Sequence, residues 1–185
     1  MKSPFRAFFQ SEKQHRLFRL LCLSSLLGFA LIGYRMIYTG FDFSQIESLN
    51  DLAHTRSQTF LFLAWNLFLA WIPYCLAFSL EKIKGCKPLV LLVLFAWLVF
   101  LPNAPYLVTD LLHLNGYRQI VPRWYDVLLF FTFAWTGLLL GFLSLMEVQR
   151  FLEQWLSRRT VAWLIWGAIG LSAFAIPLHA SVSIA

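Results

Sequence analysis

The chain has 185 residues, of which 59% are hydrophobic, 18% aromatic and only 13% charged, with a formal charge of +6. A soluble domain is nearer a quarter charged and interrupts its apolar residues at helical or strand spacing, so an ordinary soluble fold is excluded. Nucleic-acid binding is excluded too, because no basic run is interleaved with stacking aromatics in a polar segment.

Nearly unbroken apolar runs reach the roughly 20 residues needed to cross about 30 Å of hydrocarbon. Barrel strands would be shorter and alternating, and only helices and closed barrels satisfy their backbone in lipid. The fold class is therefore all-α: a polytopic helical membrane protein with about five transmembrane helices, its partner the lipid bilayer. Residues 1–16 form a basic leader with Lys2, Arg6, Lys13 and Arg16, and residues 17–185 a single integral membrane domain.

The spans are expected at Leu17–Tyr34, Thr59–Leu80, Pro88–Val108, Val127–Leu145 and Val161–Pro177. No A-x-A cleavage pattern follows the first, which reads as a retained signal anchor. The second carries Asn66 near its middle, where an amide needs an interhelical partner, and Pro73, which is expected to kink it. Cys22 and Cys75 lie inside spans and Cys86 in a short basic loop, without zinc or disulfide spacing.

Charge sets the expected topology. Eleven of the 15 Lys and Arg residues fall in the leader with Arg19 just after it, between spans two and three, or between spans four and five, and Arg35, Arg56, Arg118 and Arg123 fall on the other side. Basic loops favour the cytoplasm, so the N-terminus is expected inside and the C-terminus outside a bacterial inner membrane. The four aspartates (Asp42, Asp51, Asp110, Asp126) and five of the six tyrosines then lie toward the outer side. No Asp, Glu, Lys, Arg or His sits deep within any expected span, which disfavours a proton-driven transporter.

The third span is expected to break. Pro88 to Leu101 makes only about 21 Å of helix, and Pro102-Asn103-Ala104-Pro105 removes two backbone donors. The break is expected in the outer third of the membrane, with Asn103 capping a new helix. In that helix Tyr106, Thr109, Asp110, His113 and Tyr117 share one face, suited to an outer interface.

Asp110 and His113, at i and i+3, are close enough to hydrogen-bond or share a metal. Asp126 could supply a third ligand. These three are the candidate catalytic or metal-binding residues, and Asn103, Tyr106, Thr109, Arg118, Arg123 and Trp124 the candidates for substrate binding. The alternative reading is a helix cap and lipid anchor. No cofactor is identified. In the fourth span Gly137 and Gly141 form a GxxxG extended by Ser144, a face for close helix packing within the chain or for a partner helix.

FLPNAPYLVTDLLHL, then PRWYD, then FAWTGLLLGFLSL resemble the signature of an uncharacterised bacterial membrane-protein family, a domain of unknown function. The likeness runs from about Thr59 to Gln154 and maps its signature onto Pro102, Asn103, Pro105, Tyr106, Thr109, Asp110, His113, Pro122, Trp124 and Asp126. It implies no known activity. Relatives are expected to continue past the fifth span with an Arg- and Trp-containing segment. Three function classes stay open: a membrane enzyme acting on a lipid or lipid-linked substrate, a small permease, or an assembly subunit.

Overall fold

Leu21, Ser25, Gly28, Ile32 and Arg35 recur at intervals of four and three and are all buried, which makes them one stripe along a helix. They are the inward face of α1 (Pro4–Tyr38). A second stripe of Leu63, Leu67, Ala70, Tyr74, Ala77 and Leu80 forms the buried face of α2 (Leu61–Ile83). The computed structural model describes residues 4–40, 60–109 and 121–182, with side chains for 15–40, 60–109 and 121–173.

The chain continues through α3 (Lys87–Phe100), the short α4 (Asn103–Thr109), α5 (Arg123–Leu152) and α6 (Arg158–Val182). Pro88 stands in the first turn of α3, where its missing N–H has no partner to lose. Pro73 lies inside α2, which remains helical on both sides of it. In a bundle, neighbouring helices make such a missing bond tolerable.

Four stretches are long and apolar enough to cross a membrane: His15–Tyr38, Leu61–Ile83, Lys87–Thr109 and Arg123–Leu152. Large apolar side chains such as Leu26, Leu91, Phe95, Phe131 and Trp135 are exposed along their outer flanks, where lipid and not water is the natural neighbour. The chain is a multi-pass helical membrane protein. The expected fifth span falls within α6.

Central in this arrangement is α5, which packs on α1, α2 and α4 and lightly on α6. One core cluster joins Leu21, Ile32, Phe60, Leu107, Leu129, Phe130 and Phe133 toward the Asp126 end of the bundle. A second joins Ala77, Leu80, Trp97, Val148 and Phe151 toward the Glu81 end.

The third crossing is broken at Leu101-Pro102, as the prolines require, but deeper than the sequence suggested. A Cβ on Gly137 would meet Leu107 Cδ1 at 2.5 Å and the Ala104 carbonyl at 2.7 Å, and one on Gly141 would meet Ala104 Cβ at 3.1 Å. So α4 lies against the middle of α5, about 21 Å along the helix from Arg123, and not at an interface. The two glycines leave the space in which α4 sits this close. Trp97 reaches the same face, its indole donating to Ser144 Oγ at 3.4 Å.

The freed backbone at the break is largely satisfied locally. Ala104 N–H donates to Leu101 O and Tyr106 N–H to Pro102 O, both at 3.2 Å. Asn103 does not cap α4 by accepting a bond. Its side-chain amide points backward and donates to Phe100 O at 3.1 Å, closing the end of α3. Helix α4 already begins at Asn103, so the residue stands inside the first turn and not before it.

Candidate functional site

The polar centre at the Asp126 end is built from α1 and α5. Arg35 occupies the next place in the 4-3 stripe after Ile32, where its side chain must enter the bundle. Asp126 lies in the first turn of α5, a position that a helix N-terminus favours for a carboxylate. Arg35 Nη1 donates to Asp126 Oδ1, and the two residues are 1% and 7% exposed. At that burial neither charge is tolerable without the other.

Aromatic rings close around the pair. The Arg35 guanidinium carbon lies 4.0 Å from the centre of the Phe60 ring, a cation–π distance that favours a planar cation. Phe60 stacks edge-on against Phe130 at 4.9 Å. Its backbone is left-handed, with φ 55 and ψ 27, a conformation costing a bulky residue about 1–3 kcal/mol. Full burial of the ring between Arg35 and Phe130 offsets that cost.

Hydrogen bonds continue down the α1–α5 seam. Tyr125 O–H donates to Leu31 O at 2.6 Å. Farther along, Thr136 Oγ1 donates to Thr132 O at 2.7 Å, so the 2.6 Å contact between the Ser24 and Thr136 hydroxyls has Ser24 as donor. Gly28 faces the edge of Phe133, 2.9 Å from where a Cβ would sit. Tyr125→Phe is expected to lower thermal stability in mild detergent by about 1 kcal/mol, with an unchanged melting temperature counting against this role.

Outside the pair, a groove of about 420 Å3 is walled by Tyr34, Tyr38, Trp124 and Tyr125 over a floor that includes Leu31. Tyr34 stacks on Tyr38 at 6.2 Å and lies 5.5 Å from Tyr125. Trp124 is 68% exposed, and Arg123 is exposed beside it at the start of α5.

The sequence candidates thus separate. Trp124, Arg123 and Asp126 stand together at one end, with Asp126 turned inward to Arg35. Asn103 sits near the level of Gly141, roughly 20 Å along α5 from Asp126, and does not join it. Tyr106 and Thr109 are half-buried, on the side of α4 away from the buried Ala104 and Leu107. Thr109 Oγ1 donates to Tyr106 O at 2.7 Å. Gly137, Gly141 and Ser144 are filled by α3 and α4 of the same chain. Asp110, His113 and Arg118 lie outside the described residues, among which no three His, Cys, Asp or Glu gather as metal ligands.

Arg35 is not among the sequence candidates, because it stands directly after the expected end of the first span at Tyr34 and reads there as an ordinary flanking charge. The signal that finds it is the spacing of Leu21, Ser25, Gly28 and Ile32, carried one step farther than the apolar run.

Residues 65–178 match the model of a family described as a protein of unknown function, DUF1361. The chain belongs to this family. No curated protein and no solved structure gave a significant match. The DUF1361 match covers α3, α4 and α5 completely and reaches into α6, whereas α1 precedes it. The Arg35–Asp126 pair therefore ties a helix outside the matched region to the central helix within it.

Proposed function

We propose that this DUF1361 chain is a protein of a bacterial cytoplasmic membrane, N-terminus inside and Asp126 end outward, that handles a lipid or lipid-linked amphiphile at its outer end. The observation that carries the reading is the aromatic groove beside Trp124. Amphipathic rings suit headgroup depth, and a guanidinium matches phosphate oxygens in a fork. Trp124, Arg123 and Arg118 hold the headgroup in this reading. His113 and Asp110 supply acid–base chemistry, since imidazole changes charge near neutral pH, or together bind a metal. Asp126 is committed to Arg35 and holds the α1–α5 corner.

A second reading, a small permease, is favoured by the helix break beside Gly137 and Gly141, because discontinuous helices place polar backbone near the membrane midplane. Asn103, Tyr106 and Thr109 would then line the path. An assembly subunit would need a face other than Gly137 and Gly141, which α4 already covers.

A deletion strain profiled for lipids separates these readings. Wild type is expected to restore the profile, while His113→Ala and Trp124→Ala do not, with all proteins present at equal levels. Equal rescue by His113→Ala would remove the catalytic role. Solute uptake by reconstituted vesicles, with lipids unchanged, would favour the permease.

A further inference from the structure

At the Glu81 end, α1 and α2 part from one another. They run antiparallel and meet at Trp71, whose indole donates to Ser25 Oγ at 3.1 Å and meets the Phe18 ring edge-on at 5.8 Å. Beyond it opens a cleft of about 410 Å3, lined by His15 and Phe18 of α1 and by Tyr74, Phe78, Ser79 and Lys82 of α2. That volume lies within the range of small-ligand sites.

The lining is graded from apolar to basic. Phe18, Phe78 and the buried Tyr74 form the inner part, and His15 and Lys82 stand at the helix ends where the membrane interface begins. Lys82 Nζ lies 5.9 Å from the centre of the Phe78 ring, and among the described residues it makes no ion pair. Glu81, its neighbour in sequence, is turned elsewhere: it accepts from Lys84 and from Gln154, each at 3.0 Å. No carboxylate lines the cleft. Ser79 Oγ donates to Leu76 O at 2.7 Å, which leaves its oxygen able to accept.

We propose that this cleft binds an anionic phospholipid, with the phosphate against Lys82 and His15 and an acyl chain between Phe18 and Phe78. Basic pockets between transmembrane helices at an interface hold anionic headgroups in this way. A phosphatidylcholine carries its own ammonium, which Lys82 disfavours. The site is independent of the groove beside Trp124, which lies at the other end of the bundle.

The test uses the full chain, delipidated in mild detergent, with thermal melting followed as lipid is added. Phosphatidylglycerol should raise the melting temperature at lower concentration than phosphatidylcholine. In Lys82→Gln/His15→Gln the concentration for half the effect should rise about tenfold, the loss of one charge-assisted contact. Lys82→Arg should keep the wild-type value, and Lys84→Gln, outside the cleft, should keep it too. Native mass spectrometry of the wild type should retain phosphatidylglycerol over phosphatidylcholine, which tests the site even where the double variant fails to fold.

Equal protection by both lipids, or an unchanged response in the double variant, overturns the proposal. So does an equal loss in Lys84→Gln, which would mean diffuse surface charge. The full shift produced by inorganic phosphate alone would assign a free anion and overturn the lipid.

Discussion

Asp126→Ala is expected to destabilise the protein by about 3–5 kcal/mol, because it removes the buried carboxylate to which the Arg35 guanidinium donates. Arg35 is 1% exposed, with the centre of the Phe60 ring 4.0 Å from its guanidinium carbon, so its charge is withdrawn from water. Arg35→Ala should cost a similar amount from the other side, with a stranded carboxylate at the start of α5. Arg35→Lys should restore only part of the loss. An ammonium keeps the charge but not the planar fork that meets Asp126 and lies over Phe60.

The decisive variant removes both charges. A buried pair replaced by apolar side chains of similar volume is often neutral or stabilising, so Arg35→Met/Asp126→Leu should recover most of the wild-type stability. Thermal melting in detergent measures all four variants. Single variants that melt with the wild type would show that the pair is not desolvated, and a double variant as weak as the two losses added would show that the charges act separately. The same pair ties α1 to α5. Removal of α1 should leave an Asp126 chain that is degraded or insoluble, while Asp126→Leu lessens the defect.

Gly137→Ala is expected to cost about 1–3 kcal/mol, the usual penalty for overpacking a filled contact. The new methyl would stand 2.5 Å from Leu107 Cδ1 and 2.7 Å from the Ala104 carbonyl oxygen. A leucine methyl can rotate aside, but a carbonyl moves only with its helix, and α4 is also packed against α2. Gly141→Ala meets only Ala104 Cβ, at 3.1 Å, and should cost less. Gly167→Ala and Gly170→Ala meet nothing within 4 Å and should be neutral or slightly stabilising through the higher helix propensity of alanine.

This ranking of four chemically identical changes separates packing within the chain from any general effect of added methyls. Leu107→Ala combined with Gly137→Ala should recover part of the loss but not all, since the carbonyl contact remains. Equal melting temperatures across the four single variants would mean that α4 does not rest on α5 as described.

The membrane class and the main helices were legible in the sequence, because apolar length is a local property that lipid reads directly. Leu61–Ile83 and Lys87–Thr109 differ from the expected second and third spans by a few residues, and the prolines announced the interruption of the third. Even the small-residue face of Gly137, Gly141 and Ser144 was visible from spacing alone. What covers that face was not, since a small residue specifies room and leaves its occupant open.

Two features rested on tertiary structure. The depth of the Pro102–Pro105 break depends on which residues of α5 stand opposite Ala104 and Leu107, a register set by side-chain packing between distant segments. The partnership of Arg35 and Asp126 joins residues 91 apart in sequence, each of which by itself looks like an ordinary charge beyond the end of an apolar run. A charge count locates such residues near an interface. Only the packing of α1 on α5, with Phe60 folded back over the guanidinium, decides that they are withdrawn from it and neutralise one another. Helix length and hydropathy belong to each segment separately, whereas desolvation and pairing belong to the assembled bundle.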